Sequence, residues 1–202
     1  MRHPGQSDTF KIQWSWRKAW AHFRTITYHK ILVMRHCFKI GLYRQGLTHD
    51  LSKYSWTEFR IGVLYFQGDR SPNTAERTAR GFSEAWLHHK GRNKHHYEYW
   101  IDFRNNGDAV MEGKRMPRRF VLEMVCDRVA ASKVYQGEYY TDQSPLEYYH
   151  LEQTMGDLPI HPKTAAFLEY LLTLVATKGE KEAFRIMRDD IVRGKMYKDK
   201  KN

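Results

Sequence analysis

The sequence predicts an all-α, single-domain helical bundle, and three observations support this class. Its 202 residues are enough for one domain with a substantial core. Apolar residues recur at intervals of three and four along most of the chain, which is the helical period. Alternating β-branched segments joined by Asn-Gly or Asp-Gly turns are almost absent. We therefore predict one folded domain over residues 1–194 and a flexible basic tail over 195–202.

Helix breakers set most of the predicted boundaries. Gly41 ends the first apolar-periodic segment. Pro72 and Pro117 each suit the first position of a helix, because the missing N–H of proline has no partner to lose there. The clearest break is the loop 104–116, which contains Asn-Asn-Gly-Asp. The predicted helices span residues 10–40, 43–53, 56–67, 72–90, 95–103, 117–136, 145–155, 162–178 and 180–193.

Two helix starts have the spacing of a capping box. Ser55 is followed three residues later by Glu58, and Ser144 by Glu147. In this arrangement the serine hydroxyl and the glutamate carboxylate each accept a hydrogen bond from a backbone N–H that the helix leaves unpaired. We therefore predict that both glutamates act at helix N-termini.

The chain is basic and rich in aromatic residues. Lys plus Arg number 34 and Asp plus Glu 23, which gives a formal net charge of +11, and aromatic residues make up 14%. The aromatic content excludes a disordered basic tail, because such chains lack the large side chains that build a core. The charge is compatible with nucleic acid, nucleotides or other phosphate-bearing partners.

The sequence further predicts a cytoplasmic protein that does not enter a membrane. Cys37 and Cys126 lie in apolar segments and do not form a disulfide framework. No signal-peptide pattern follows the first residues. The best apolar run, residues 165–176, is too short to span a bilayer and contains Glu169.

Histidine is the unusual component, with 11 residues in the chain. His29 and His36 are seven positions apart on a predicted helix, so they lie ~20° apart around its axis. His49 is followed directly by Asp50. The segment 88–96 contains four further histidines, which are His88, His89, His95 and His96. Taken singly, a helical histidine is more often a core or surface residue than a ligand. The segment 88–96 is the stronger signal, and its alternative is a solvated basic loop with some affinity for nucleic-acid phosphate.

Asp127 lies in an otherwise apolar helical segment, residues 123–131. A carboxylate in such surroundings faces the interior or its edge, where a buried charge needs a partner or a metal. The alternative to a metal is a salt bridge to Arg118 or Arg128.

These residue types together indicate a metal site inside a helical bundle. Imidazole suits Zn, Fe, Ni and Mn, whereas carboxylates favour harder ions. Ligands from several helices can hold one or two divalent ions with open positions for water. A metal lowers the pKa of its bound water, which then attacks near neutral pH. Four cations in or beside these motifs could neutralise a phosphate: Lys53, Lys90, Arg92 and Lys94.

The order of these motifs resembles the HD-domain superfamily of metal-dependent phosphohydrolases. Residues 49–53 (His-Asp-Leu-Ser-Lys) are similar to its His-Asp-x-x-Lys segment, and residues 29–33 to its first-helix histidine followed by valine. Asp127 resembles its final aspartate ligand. Residues 46–59 and 85–100 resemble more closely an uncharacterised bacterial and phage family, over roughly residues 20–175.

The resemblance implies an HD-domain-like fold with one or two divalent ions, of Zn, Mn, Fe, Ni, Co or Mg. For the first-helix ligand, His29 has the expected spacing to Val33, but a tight turn after Gly41 would bring His36 closer to His49. The clustered histidines would complete a second position. The implied metal ligands are His29, His36, His49, Asp50, His88, His89, His95, His96 and Asp127.

The predicted function is hydrolysis of a nucleotide or another small phosphate ester. Asp50 would orient or deprotonate the water, while Lys53 and Arg92 would stabilise charge on the phosphate. Asn93 and Glu98 would orient the histidine ligands. Two alternatives remain open, a nucleic-acid-binding module and an HD-like scaffold that binds a metal or nucleotide without turnover.

Overall fold

A computed structural model describes residues 12–68, 70–105, 107, 109–156 and 158–192. Over this range the chain is mostly helical, which confirms the all-α class. The predicted basic tail 195–202 lies outside the described residues, as do the outer ends of the predicted first and last helices. No helix in the described part of the chain is both long and apolar enough to cross a membrane.

The longest helix, α1, forms one wall of the protein. Ser15 caps its start, where the hydroxyl accepts a hydrogen bond from the N–H of Lys18 at 3.1 Å. Its inward face carries His22, His29 and His36, all of which are buried. The helices of the described chain are α1 (Trp16–Lys39), α2 (Tyr43–Thr48), α3 (Trp56–Leu64), α4 (Pro72–Arg80), α5 (Glu84–Lys90), α6 (Arg118–Gln136), α7 (Ser144–Thr154), α8 (Pro162–Lys178) and α9 (Glu180–Ile186).

Short 3₁₀ turns and a hairpin complete the architecture. The 3₁₀ turns are Leu51–Tyr54, Tyr97–Trp100 and Gly137–Tyr139, and a π-helical segment, Met187–Val192, follows α9. Two strands, β1 (Ile101–Phe103) and β2 (Met111–Gly113), pair antiparallel. The main core lies where α1 packs on α6, with α8 and α9 behind them.

Three predicted helices are wrong. The predicted helix 43–53 ends as α2 at Thr48, and a separate 3₁₀ turn begins at Leu51, after the left-handed Asp50. The predicted helix 72–90 is divided into α4 and α5, because Gly81 adopts a left-handed conformation with φ of 82° that ends α4. The predicted helix 95–103 is a 3₁₀ turn followed by β1, and the predicted loop 104–116 contains β2. The third difference matters for the candidate site, because the chain turns after α5 instead of continuing as a helix, and this turn returns His95 and His96 towards His89.

The two predicted capping boxes also differ from expectation. Ser55 accepts a hydrogen bond from the N–H of Glu58 at 3.5 Å, but the Glu58 carboxylate does not return to Ser55. It turns inward to histidines instead. Ser144 is the first residue of α7 rather than its cap, and its hydroxyl accepts from the N–H of Thr141.

Gly113 lies where β2 passes against the chain that leads into α8. A Cβ at this position would lie 2.6 Å from the backbone nitrogen of His161 and closer still to the carbonyl oxygen of Pro159. We expect Gly113→Ala to lower the free energy of unfolding by about 1–3 kcal/mol, because backbone cannot move aside as a flexible side chain can. Thermal unfolding measures this loss. Gly91→Ala is the matched control, since a Cβ there makes only ordinary contacts, and equal midpoints for the two variants would contradict the expectation.

Candidate metal centre

Seven of the predicted ligands meet at one place between α1, α5 and α6. They come from three kinds of local structure, which are helices, the segment after α2 and the turn after α5. Five of the seven are fully buried, and His96 and Asp127 are partly buried. The residues brought together are His29, His49, Asp50, His89, His95, His96 and Asp127.

Asp50 lies at the centre of this cluster because of its backbone. It adopts a left-handed conformation with φ of 53°, which no other non-glycine residue does in the described chain. Aspartate tolerates this region better than most residues, and such strain concentrates at functional sites. The conformation turns the carboxylate inward directly after His49, so that its two oxygens face two different groups of side chains.

One carboxylate oxygen faces the first group, which comprises His29, His49 and Asp127. Asp50 Oδ2 lies 3.3 Å from Nε2 of His49 and 3.8 Å from Nε2 of His29. Asp127 Oδ1 lies 2.9 Å from the same nitrogen of His29 and 3.6 Å from that of His49. These atoms surround a common point with nitrogen and oxygen donors.

The other oxygen of Asp50 faces the second group, which comprises His89, His95 and His96. Oδ1 lies 3.3 Å from Nε2 of His89 and 3.3 Å from Nε2 of His95. The Nε2 atoms of His89 and His96 are 3.0 Å apart. Asp50 therefore belongs to both groups, with one carboxylate oxygen facing each.

The donor atoms fit divalent metals on two independent counts. Ligands about 2.0–2.2 Å from a metal lie about 3.0–3.5 Å from one another, which is close to most separations seen here. The Nε2 atoms of His29, His49 and His95 and both oxygens of Asp50 are buried and make no hydrogen bond of good geometry, although Lys53 Nζ lies 2.6 Å from Asp50 Oδ2 and Asp127 Oδ1 lies 2.9 Å from Nε2 of His29. Buried polar atoms normally form well-aligned hydrogen bonds, so donor atoms that converge without them could hold a metal ion.

Glu123 holds two histidines from behind. Its Oε1 lies 3.0 Å from Nδ1 of His49 and 3.2 Å from Nδ1 of His95. These three residues also come close enough to form a possible ion-binding group. However, a carboxylate on Nδ1 commonly accepts its proton and turns Nε2 towards the metal. Glu123 therefore orients one histidine of each group.

Glu58 plays the same part for the second group. Its Oε2 lies 2.8 Å from Nδ1 of His89, and its Oε1 lies 2.6 Å from Nδ1 of His88. His88 therefore points to Glu58 and not to the cluster. The structure therefore does not bring His88, which was predicted as a ligand, to the cluster. Its ring nitrogen contacts Glu58, the glutamate that was expected to cap α3.

Lys53 supplies positive charge beside the carboxylates. Its Nζ lies 2.6 Å from Asp50 Oδ2. Burial disfavours the charged form of Lys53, but the carboxylates of Asp50 and Asp127 outweigh that effect and raise its pKa. Burial also opposes ionisation of Asp50, but His49 and Lys53 outweigh it and hold the pKa of Asp50 well below its usual range. The bridging carboxylate is therefore ionised, as a metal ligand must be.

The histidines divide by their neighbours. Burial and then Lys53 lower the pKa of His29, and burial together with His95 and His89 lowers that of His96 well below its ordinary value. For His95, burial and His49 oppose protonation, yet Asp50 and Glu123 raise its pKa to about 9.

His36 is not part of the cluster, so its prediction as a rival ligand is wrong. It lies two turns beyond His29, stacks on Phe184 with ring centroids 5.0 Å apart, and has Nε2 3.4 Å from Glu180 Oε1. The packing of α1 on α6 places His29, and not His36, opposite Asp127.

Arg92 is likewise not brought to the cluster. It is exposed just past the end of α5, and its guanidinium donates to the backbone oxygen of His88 at 3.5 Å. The turn that carries His95 inward leaves Arg92 outside. Of the two salt-bridge partners predicted as alternatives for Asp127, Arg128 pairs instead with Glu152 at 2.8 Å.

A cavity of about 550 Å³ opens beside the cluster. His29, His89, His96, Asp127 and Lys53 form part of its wall, whereas Asp50 does not. The cavity therefore gives a ligand access to the cluster from one side. Its remaining lining includes aromatic side chains, which are Phe66, Trp86, Tyr97, Tyr135 and Tyr148.

Of the two residues expected to orient histidines, only Asn93 contacts a histidine of the cluster, with its side-chain nitrogen 3.1 Å from Nδ1 of His89. The same nitrogen donates to Ser52 Oγ and to the backbone oxygen of His89, each at 2.8 Å, and so also fixes the turn that follows α5. Glu98 lines the cavity instead, and burial raises its pKa.

Sequence reasoning missed the orienting roles of Glu58 and Glu123. A signal for Glu123 was present, since it lies four residues before Asp127 and therefore on the same face of α6. Glu58 carried no such signal, because its spacing to Ser55 is also that of a helix cap. His22 was missed as well: it lines the cavity, and burial followed by Lys53 lowers its pKa to about 4.

The fold and the site define an α-helical protein with a buried cluster of histidines and carboxylates that could bind metal ions. Residues 18–174 match a family of unknown function, DUF5662. The chain belongs to that family. No curated protein sequence and no solved structure gives a significant match to it.

Proposed function

We propose that this protein is a metal-dependent phosphohydrolase with an HD-domain-like fold, acting on a nucleotide or another small phosphate ester. The observation that carries the proposal is the position of Asp50, whose two carboxylate oxygens face two separate groups of donors. Such a bridging carboxylate is what a pair of divalent ions requires. The order of the ligands along the chain, which resembles that of the HD-domain superfamily, supports the same conclusion.

The residues divide into those that hold ions and those that face a substrate. His29, His49 and Asp127 would hold one ion, and His89, His95 and His96 the other, with Asp50 shared. Divalent ions in such a pair hold phosphate oxygens and lower the pKa of a bound water to near neutrality.

Lys53 and Asp127 are the residues of the cluster best placed to act on a substrate. Both line the cavity, so a phosphate entering it meets the ammonium group of Lys53, which compensates negative charge on the phosphoryl oxygens. Asp50 is only 2% exposed and lies outside the cavity wall. We therefore infer that Asp127, and not Asp50, meets and orients a water from the cavity.

The test is phosphate release by untagged protein that has been stripped with a chelator and reloaded. Reloading with Mn²⁺, Zn²⁺, Fe²⁺, Co²⁺, Ni²⁺ or Mg²⁺ is expected to restore hydrolysis of at least one member of a panel of nucleotides and phosphomonoesters. Lys53→Met should lower kcat/KM about 100-fold or more, because one charged donor to the phosphate is lost. Lys90→Met, which removes a cation from the end of α5, should have little effect.

Two results would overturn the proposal. Hydrolysis that survives complete removal of metal would exclude the assigned site. A fully loaded protein that hydrolyses nothing in the panel would favour the non-catalytic scaffold.

A further inference from the structure

The outer side of α1 carries an unusual set of exposed aromatic rings. Trp16 is 82% exposed, Trp56 66% and Trp20 63%. An exposed apolar patch of this kind commonly marks a binding surface. We call it the aromatic face, and it consists of Trp14, Trp16, Trp20, Phe23, Tyr54 and Trp56.

The rings of the aromatic face support one another in two rows. In the first row Trp14 contacts Trp16 and Trp56, with centroids 6.1 and 5.8 Å apart. In the second, Phe23 stacks on Trp20 at 5.8 Å with an interplanar angle of 19°, and it meets Tyr54 at 6.0 Å. Rings braced in this way form a surface that a ligand can use without ordering flexible side chains.

The exposed charge of the segment that carries these rings is entirely positive. Residues 12–64 contain nine Lys and Arg residues but only two acidic ones, Asp50 and Glu58. Both acidic residues are buried, at 2% and 5% exposure. Arg24 lies four residues after Trp20, and Arg60 four after Trp56, so each exposed guanidinium shares a helix face with an exposed ring. The complementary partner is therefore a polyanion.

We propose that the aromatic face binds single-stranded nucleic acid. Unpaired bases stack on aromatic rings, while guanidinium groups pair with the phosphates between them. The apolar groups of this face are rings, and the two cations that share a helix face with them, Arg24 and Arg60, are arginines, which favours bases and phosphates over lipid chains. A duplex would bind less well, because its bases are already stacked on one another.

This surface is separate from the proposed metal site. His22, Thr25 and Ile26 line the cavity from the inner side of α1, whereas Trp20, Phe23 and Arg24 lie on the outer side. Binding to the aromatic face should therefore not require metal. Failure of the hydrolase proposal would leave this one intact, and the reverse also holds.

The test is fluorescence anisotropy of a labelled single-stranded 20-nucleotide oligo(dT) with the full-length protein in EDTA. Trp16→Ala/Trp20→Ala is expected to weaken binding about 10-fold or more, because each stacked base contributes measurably to affinity. Tyr139→Ala/Met155→Ala is the control, because it removes two large side chains that are 80% and 74% exposed and do not belong to the aromatic face. Thermal unfolding of the variants checks that their folds are intact.

Salt and competing ligands provide the second readout. The logarithm of affinity should fall linearly with the logarithm of salt concentration, and Arg17→Glu/Arg24→Glu should make that slope shallower by about 1 or more. Lys163→Glu/Lys178→Glu, with the same charge change on α8, should not alter the slope as much. The proposal is overturned if the wild-type protein does not bind the oligonucleotide, or if the tryptophan variant binds it as tightly as the wild type does. In either case, sedimentation of the wild-type protein with anionic phospholipid vesicles would assign the aromatic face to a membrane surface instead.

Discussion

Asp50→Asn is expected to reduce phosphate release about 1,000-fold or more and to lower the metal content from two ions per chain to one or fewer. The reason is the bridging position: Oδ1 lies 3.3 Å from the ligand nitrogens of both His89 and His95, and Oδ2 3.3 Å from that of His49. Asparagine keeps one oxygen but replaces the other by an NH₂ group, which cannot bind a cation. Loss of an ion removes several kcal/mol of transition-state stabilisation.

Elemental analysis of untagged protein measures this effect, and a second variant makes it specific. Asp127 belongs only to the first group, so Asp127→Asn should lose one ion and retain the other. His36→Gln is the matched control, because it removes a buried histidine that lies outside the cluster. Full metal content in Asp50→Asn, or equal loss in His36→Gln, would contradict the bridging arrangement.

The ligand types could be predicted from the sequence because their chemistry is restrictive. An aspartate in the apolar segment 123–131 and four histidines within nine positions are both unusual, and the structure brings Asp127 and three of these four histidines to one buried cluster. The helical period also made His29 and His36 equivalent, since residues seven apart share a face. Only the docking of α6 against α1 distinguishes them, and that contact joins segments far apart in the chain.

The local backbone at Asp50 and after α5 could not be predicted from propensity. No sequence rule distinguishes a His-Asp pair whose aspartate has a left-handed backbone conformation from one whose aspartate does not. The division of 72–90 into α4 and α5 was missed for a related reason: the segment reads as helical on either side, and Gly81 is compatible with a helix interior at modest cost. The structure uses that glycine to end a helix, and the later reversal brings His95 and His96 back to His89.

Glu58 illustrates a conflict between local and long-range roles. Its spacing to Ser55 satisfies the capping-box pattern, and half of that pattern is present in the structure. The carboxylate, however, has stronger partners in the imidazoles of His88 and His89, which α5 brings against α3. The backbone N–H of Ser55, which the second half of the pattern would use, already donates to the backbone oxygen of Ser52 at 2.9 Å, so the tertiary contact decides where the carboxylate goes.

Glu123→Gln is expected to weaken the binding of both ions, each about 10- to 100-fold. One carboxylate oxygen faces Nδ1 of His49 at 3.0 Å and Nδ1 of His95 at 3.2 Å, and these histidines belong to different groups. The amide of glutamine is a weaker acceptor and carries no charge. Both imidazoles therefore become less basic ligands, and both lose the group that fixes their orientation.

Glu58→Gln supplies the comparison, because Glu58 contacts a histidine of the second group only. Titration with a chelator of known affinity should show two weakened ions in Glu123→Gln but one in Glu58→Gln. A single weakened ion in Glu123→Gln would mean that His49 and His95 do not ligate separate metals. Unchanged affinity in both variants would mean that these carboxylates serve the fold alone, since an orienting acceptor must affect the ligand it holds.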